Sequence, residues 1–284
     1  MEVIKARNLG FCNGVKLALT VVRDAIKEAR ELGVPCYIYG DIVHNSYVME
    51  RITHEGVKIV DSPNECDEKG ILIIRTHGIS DTLRDEFIKK GPIIRDATCP
   101  VVLRNQSLVR NSEKPVVIFG LAGHSEVISL VGASKIAYPN PLIIDSDSKL
   151  SLLDKKHEYT AVVQTTFSTT LFKEIKKKIA EDGIAVDFLN DICMSSQLRR
   201  NGIKELKGKV DAIIVVGDKH SANTNELVSI AREIGMIAFL VEKADNITSE
   251  MTRYDRIGLT AGASTPDYIY NEVEAYLRSI DDGR

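Results

Sequence analysis

The most constraining feature of this sequence is one short phrase used three times. Cys12 closes Ala6-Arg7-Asn8-Leu9-Gly10-Phe11-Cys12, Cys99 closes Arg95-Asp96-Ala97-Thr98-Cys99, and Cys193 closes Leu189-Asn190-Asp191-Ile192-Cys193, at intervals of 87 and 94 residues. Each phrase follows an apolar, strand-like run and precedes a helix-like one. A unit used three times, with one such cysteine phrase per unit, fills the 284 residues. If the units meet on a pseudo-threefold axis, three thiolates converge on one point. Three soft sulfur ligands suit either an iron–sulfur cluster or a zinc ion with one open position.

The strand-like runs repeat in step. The first unit holds Tyr37–Tyr39, Lys58–Val60, Ile71–Ile74 and Ile93–Arg95, and the second Val116–Phe119, Leu142–Ile144, Thr160–Val163 and Val186–Leu189. The third holds only Ala212–Val216, Ala238–Val241 and Arg256–Leu259. Its missing fourth strand is supplied by Glu2–Ala6, which precedes Cys12 as the fourth strand of each other unit precedes its cysteine. Helical segments lie between, at Leu17–Leu32, Thr82–Lys90, Thr170–Asp182, Asn223–Ile234 and Tyr268–Ile280. Continuous apolar strands alternating with amphipathic helices imply parallel sheets covered on both faces. The expected fold is α/β: three small parallel-sheet domains in pseudo-threefold symmetry around a central cluster. The expected units are residues 13–98, 99–192 and 193–284, the last completed by residues 1–12.

Composition excludes several classes. The net charge of −3 gives no global attraction to nucleic acid. No apolar run is long enough to span a bilayer and no signal peptide is visible, so no membrane partner and a cytoplasmic location are expected. Five cysteines without dense spacing do not read as a disulfide framework. Cys36 and Cys66 lie outside the repeat and read as small core residues.

Two polar loops recur in each unit, both after strands. One reads Gly40-Asp41-Ile42-Val43-His44-Asn45, then Gly120-Leu121-Ala122-Gly123-His124-Ser125-Glu126, then Gly217-Asp218-Lys219-His220-Ser221-Ala222-Asn223. The other reads Arg75-Thr76-His77-Gly78, then Gln164-Thr165-Thr166, then Thr260-Ala261-Gly262-Ala263-Ser264. In parallel sheets the loops at the carboxyl ends of strands carry ligands. His44, His77, His124, Ser221, Asn223 and Ser264 therefore form a candidate pocket for a small polyanion, a phosphate or diphosphate. No P-loop or dinucleotide fingerprint points to a nucleotide. Glu126 is the candidate general acid, with the Thr165 and Thr166 hydroxyls available to relay a proton or hold a substrate hydroxyl. Ser221 and Ser264 equally fit helix caps, and Thr265-Pro266 and Cys99-Pro100 both read as a cap followed by proline at the first helical position. His54, His157 and His220 read as exposed or structural.

At these residues the chain resembles the 4-hydroxy-3-methylbut-2-enyl diphosphate reductase family. The matching phrases are Gly10-Phe11-Cys12 with Gly14-Val15, Val43-His44-Asn45, Thr76-His77-Gly78, Asp96-Ala97-Thr98-Cys99-Pro100 and Gly123-His124-Ser125-Glu126-Val127. Gln164-Thr165-Thr166, Ile192-Cys193, Ser221 with Asn223, and Thr260-Ala261-Gly262-Ala263-Ser264 complete the set, in family order. The resemblance implies one 4Fe–4S cluster on Cys12, Cys99 and Cys193, with one iron lacking a protein ligand. It implies a diphosphate site of His44, His77, His124, Ser221, Asn223 and Ser264, and proton delivery by Glu126 with Thr165. The implied substrate is a small allylic diphosphate alcohol, reductively dehydroxylated to isopentenyl and dimethylallyl diphosphates. The implied electron donor is a protein such as ferredoxin or flavodoxin. Three positions depart from the usual pattern: Asn13, Ala222 in place of a second serine, and Leu103-Arg104-Asn105, of which the first and last read as peripheral. A quinolinate-synthase-like lyase would share the three cysteines without needing two electrons, and a cluster-binding sensor would not need three histidines and Glu126.

Overall fold

The computed structural model describes residues 1–134 and 138–280; residues 135–137 of the expected second unit and 281–284 of the third lie outside it. The chain is a three-domain α/β arrangement built on three four-stranded sheets, every pairing parallel. The strands are β1 (Glu2–Lys5), β2 (Cys36–Tyr39), β3 (Lys58–Val60), β4 (Ile71–Ile74), β5 (Ile93–Asp96) and β6 (Val116–Phe119). The remaining six are β7 (Leu142–Ile144), β8 (Glu158–Val163), β9 (Ala185–Phe188), β10 (Ala212–Val216), β11 (Ile237–Val241) and β12 (Arg256–Ala261). The helices are α1 (Asn13–Leu32), α2 (Ser46–His54), α3 (Asp81–Lys90), α4 (Pro100–Arg110), α5 (Ser125–Val131), α6 (Thr169–Glu181), α7 (Met194–Leu206), α8 (Ala222–Glu233) and α9 (Asp267–Ser279).

The chain forms two compact units. The first comprises residues 1–16, 43–51 and 194 onward and contains the sheet β11-β10-β12-β1. The N-terminal strand pairs with β12 in the register Glu2 to Arg256 through Lys5 to Leu259. It is fixed from above as well. Arg278 donates to the Val3 carbonyl at 2.9 Å, and Lys5 pairs with Glu274 at 2.9 Å. Alternate residues of β10 serve opposite faces. Ala212, Ile214 and Val216 pack with Ile269, Val273 and Leu277 of α9, while Ile213 and Val215 pack with Ile203 and Leu206 of α7 and Leu227 of α8. All five β10 residues are buried, which is why the strand is an unbroken apolar run.

The second unit comprises residues 17–42 and 52–193 and contains the sheets β3-β2-β4-β5 and β7-β6-β8-β9. Its central strands β4 and β6 are likewise wholly buried. Val117, Phe119 and Val163 meet Phe172, Ile175 and Ile179 of α6, and Ile118 and Val162 meet Val127 and Leu130 of α5.

All twelve expected strands form, within two residues at either end. Of the nine α-helices among the described residues, α2, α4, α5 and α7 have no range in the sequence reading, α4 and α7 being expected only as helix-like runs after Cys99 and Cys193. The reason is visible in α4 and α7, which bury Asn105, Gln106, Arg199 and Arg200 on faces where periodicity looks for aliphatic side chains. The Thr265-Pro266 expectation also needs correction. Pro266 is itself the cap and α9 starts at Asp267. The Thr265 hydroxyl instead donates to the Val216 carbonyl at 3.0 Å, tying the end of β12 to the end of β10.

The strand order is the same in each sheet. The second and third strands are β2 and β4, then β6 and β8, then β10 and β12. The order reverses between them, so each sheet has its topological switch point there, where ligands bind in open α/β sheets. The loops leaving those strands carry His44 and His77, His124 and Thr165, and Ser221 and Ser264. Among the described residues no helix is long and apolar enough to cross a membrane.

The β1 pairing is testable. Val3 is buried against β12 and α9, so Val3→Ala should cost about 1–3 kcal/mol in urea unfolding. Deleting residues 1–8 should expose the β12 amides to rapid hydrogen exchange while leaving β6 and β8 protected.

Candidate active site

In the first unit, the loop before α1 is held by its backbone. Gly10 takes φ +75°, and a Cβ there would meet the Tyr270 ring at 2.6 Å, so only glycine fits. The Gly10 carbonyl accepts a hydrogen bond from buried Arg199. Cys12 follows, half-buried, with its amide donating to the Ala263 carbonyl at 3.2 Å. The Val15 amide donates to Cys12 Sγ at 3.4 Å. The Ala263 amide donates in turn to Asn223 Oδ1 at 2.9 Å. The Ser264 hydroxyl donates to the His44 carbonyl at 3.1 Å, and the Ser46 amide to Asp218 at 3.2 Å. This unit thus brings Cys12, His44, Ser221, Asn223 and Ser264 onto one connected set of loops. Ser221 caps α8 by accepting from the Thr224 amide, whereas Ser264 caps no helix. Asn223 spends its carbonyl oxygen on Ala263.

In the second unit the same backbone bond occurs twice more. The Cys99 amide donates to the Thr76 carbonyl at 2.9 Å, and the Cys193 amide to the Thr165 carbonyl at 3.3 Å. Each repeat cysteine is therefore fixed to the loop that leaves the third strand of its sheet. Cys99 is the cap residue of α4 with Pro100 first in the helix, as its sequence suggested. Thr76 also donates its hydroxyl to the Ile42 carbonyl at 2.6 Å, tying the His77 loop to the end of the segment after β2. Gly78 sits at φ +71°, where a Cβ would meet Gln106 Nε2 at 2.9 Å. Gln106 closes this contact by donating to the Ile79 carbonyl at 3.0 Å.

His77 and His124 stand edge to face with ring centroids 5.3 Å apart. His124 caps α5 in an unusual way, its Nδ1 accepting from the Glu126 amide at 3.1 Å. That bond leaves Nε2 as the donor in the neutral ring. Glu126 itself is 1% exposed. Its Oε1 accepts from the Thr165 amide at 2.9 Å and its Oε2 from the Thr165 hydroxyl at 2.6 Å. Burial pushes the Glu126 carboxyl up from an ordinary 4.5 to about 7, against the opposing pull of these bonds and of Asn105. A buried carboxyl of that kind can hold a proton near neutral pH and give it up.

One residue here corrects the sequence reading. Asn105 is not peripheral: it is 1% exposed and sets its side-chain amide beside Glu126. Its only sequence signal is a polar residue on the inward face of a short helix. Thr166 accepts from Gln164 Nε2 at 2.8 Å and is part of the loop's frame. The residues given plain readings keep them. Cys36 and Cys66 are buried, and burial pushes both thiols up to about 11. His54, His157 and His220 are exposed.

The donor chemistry fits an iron–sulfur cluster. Cys12, Cys99 and Cys193 are in no disulfide, are partly accessible, and each immediately precedes a helix. Amide hydrogen bonds at such positions, as from Val15 to Cys12 Sγ, tune cluster sulfurs. The two cysteines outside the repeat are buried and offer no such place.

Likeness to known proteins extends over nearly the whole chain. The profile of the family described as LytB protein matches residues 3–278. A 4-hydroxy-3-methylbut-2-enyl diphosphate reductase from Treponema denticola is 34% identical over 289 residues, covering 98% of this chain and 99% of the relative. One from Aquifex aeolicus is 32% identical, covering 100% and 98%. The solved structure of the Plasmodium falciparum E-1-hydroxy-2-methyl-but-2-enyl-4-diphosphate reductase superposes with a TM-score of 0.89 at 26% identity, covering 96% of this chain and 87% of that one. A structure described as (E)-4-hydroxy-3-methyl-but-2-enyl diphosphate reductase, the terminal enzyme of the non-mevalonate pathway, gives 0.72 at 32% identity, covering 98% and 99%. The chain belongs to the LytB protein family.

Proposed function

We propose that this chain is a 4-hydroxy-3-methylbut-2-enyl diphosphate reductase, an iron–sulfur oxidoreductase of the non-mevalonate isoprenoid pathway. The observation that carries the reading is Glu126, a sealed carboxyl held by Thr165 in the unit that also holds two of the three repeat cysteines. The net reaction takes the allylic alcohol, two electrons and two protons to isopentenyl or dimethylallyl diphosphate and water. Hydroxide leaves badly, so the C–O bond breaks only with a proton supplied to the oxygen.

Cys12, Cys99 and Cys193 would hold one 4Fe–4S cluster with one iron free of protein ligands. Such a cluster supplies electrons singly and a Lewis-acid position, neither of which a side chain can offer. His44, His77, His124, Ser221, Asn223 and Ser264 bind the diphosphate through N–H and O–H donors. The donor that His124 presents is Nε2–H, because its Nδ1 accepts from the Glu126 amide. Ala222 contributes no hydroxyl, leaving its backbone N–H for the same role. Glu126 and Thr165 deliver the proton to the departing oxygen, and the second proton joins either end of the allylic carbon chain. Electrons come from a small carrier protein of the ferredoxin or flavodoxin kind. The setting is the cytoplasm, with neither nucleic acid nor membrane as partner.

Anaerobically purified protein should be brown and contain about four irons per chain. Cys12→Ser, Cys99→Ser and Cys193→Ser should each bleach it or make it labile, whereas Cys36→Ser and Cys66→Ser should not; equal iron loss in the Cys36 variant would contradict the assignment. Product analysis with a chemical reductant decides the reaction itself.

Glu126→Gln keeps shape but carries no transferable proton, so turnover should fall by roughly 10²–10⁴ while substrate still binds. The reactive form is the protonated one, so wild-type turnover should decline as pH rises through about 7. Stability follows the same sign. Both states are protonated below 4.5; above it only the unfolded chain ionises, so the folded state loses stability until pH passes about 7. The wild type should therefore lose about 3 kcal/mol between pH 4.5 and 8 that Glu126→Gln does not lose, read from urea unfolding at the two pH values.

Removing one histidine donor, as in His124→Phe, should weaken substrate binding by about 1.5–3 kcal/mol. Inorganic diphosphate should compete with the substrate. Unchanged KM in all three histidine variants would remove them from the site.

A further inference from the structure

We propose that Asn105 is a positioning residue for proton delivery, its side-chain amide holding the Glu126 carboxylate once the proton has left. The proposal deepens the reading of Glu126 as proton donor and rests on it. Asn105 stands in the second turn of α4, the helix that Cys99 caps. It is 1% exposed, and its Nδ2 is buried without a complete hydrogen bond to any described residue. A buried amide hydrogen without a partner is costly and uncommon, and such groups usually have a use in another state of the molecule.

The neighbouring carboxyl provides that use. While protonated, Glu126 takes two full hydrogen bonds, both from Thr165, with the Asn105 amide set beside it. When the proton departs, the carboxylate gains acceptor capacity and a full charge in a sealed site. Thr165 has no further hydrogen to give. Asn105 does, and being neutral it neither competes for the proton nor adds a charge of its own. What acts on the Glu126 carboxyl among the described residues is burial, Thr165 and Asn105, with no charged side chain contributing. The titratable groups that face it from packed elements are His124, at the cap of the same helix, and His77, edge-on to His124 from the loop after β4.

The placement also couples the donor to its surroundings. The residue after Asn105 is Gln106, which holds the Ile79 carbonyl of the His77 loop. One helix thus carries a repeat cysteine at its start, a grip on the proton donor in its second turn, and a grip on a histidine loop beside that.

The test uses two substitutions of nearly equal size. Asn105→Leu removes the donor, and Asn105→Asp replaces it with a competing carboxyl. In the cluster-loaded protein, the protonated-carboxyl infrared band of Glu126 is identified by its loss in Glu126→Gln and followed against pH. The Glu126 titration should move up by about one pH unit in Asn105→Leu, a tenfold change in ionisation, and further up in Asn105→Asp. The alkaline limb of the kcat profile should follow in the same order with KM little changed. A titration unmoved in both variants, or moved down, overturns the proposal. A titration that moves in the expected order while the kcat limb stays put leaves the grip of Asn105 standing and overturns Glu126 as the proton donor. If Asn105→Leu does not fold, the Asn105→Asp shift still decides.

Discussion

One backbone hydrogen bond, made three times, organises this protein. The amide of each repeat cysteine donates to a carbonyl in the loop leaving the third strand of a sheet: Cys12 to Ala263, Cys99 to Thr76, Cys193 to Thr165. Because the bond is backbone to backbone, it fixes where each sulfur starts irrespective of the side chains around it. It also couples each cysteine to a loop that carries a candidate site residue. Ala263 precedes Ser264, Thr76 precedes His77, and Thr165 is the residue that grips Glu126.

That coupling explains why the switch-point loops are so heavily laced. Thr76, Gln164 and Thr265 each reach across the switch point of their own sheet, to Ile42, to Leu121 and to Val216. The atoms differ, since one is a hydroxyl donor to a segment beyond the strand, one an amide oxygen acceptor and one a hydroxyl donor to the strand end. The outcome is shared: two loops that would otherwise move independently behave as one support. Such support matters for a site whose groups must hold position within a fraction of an ångström.

The second organising effect is desolvation at Glu126. A carboxyl with 1% exposure and two hydrogen bonds from Thr165 is pulled both ways, and burial prevails. The balance leaves it near neutrality, where an acid can both hold and release a proton. The stability lost by ionising it in the folded state is part of the same arrangement, since a better-stabilised carboxylate would no longer hold its proton near neutral pH.

The sequence by itself determined the strands, their parallel pairing and the threefold use of one unit, because parallel strands covered on both faces must be continuous apolar runs. It also marked Cys12, Cys99 and Cys193 against Cys36 and Cys66, through register alone. It placed Glu2–Ala6 in the sheet of the third unit by counting strands; the structure pairs Glu2–Lys5 with β12. Tertiary structure decided what register could not. Ser221 caps a helix while Ser264 grips the His44 carbonyl, though both are serines after strands. Thr265 turns back to Val216 rather than capping α9. Asn105, an unremarkable polar residue in the sequence, lies against the buried acid because α4 packs with that face inward. These outcomes depend on which atoms meet across separate segments, and a linear pattern of side-chain types carries no record of such meetings.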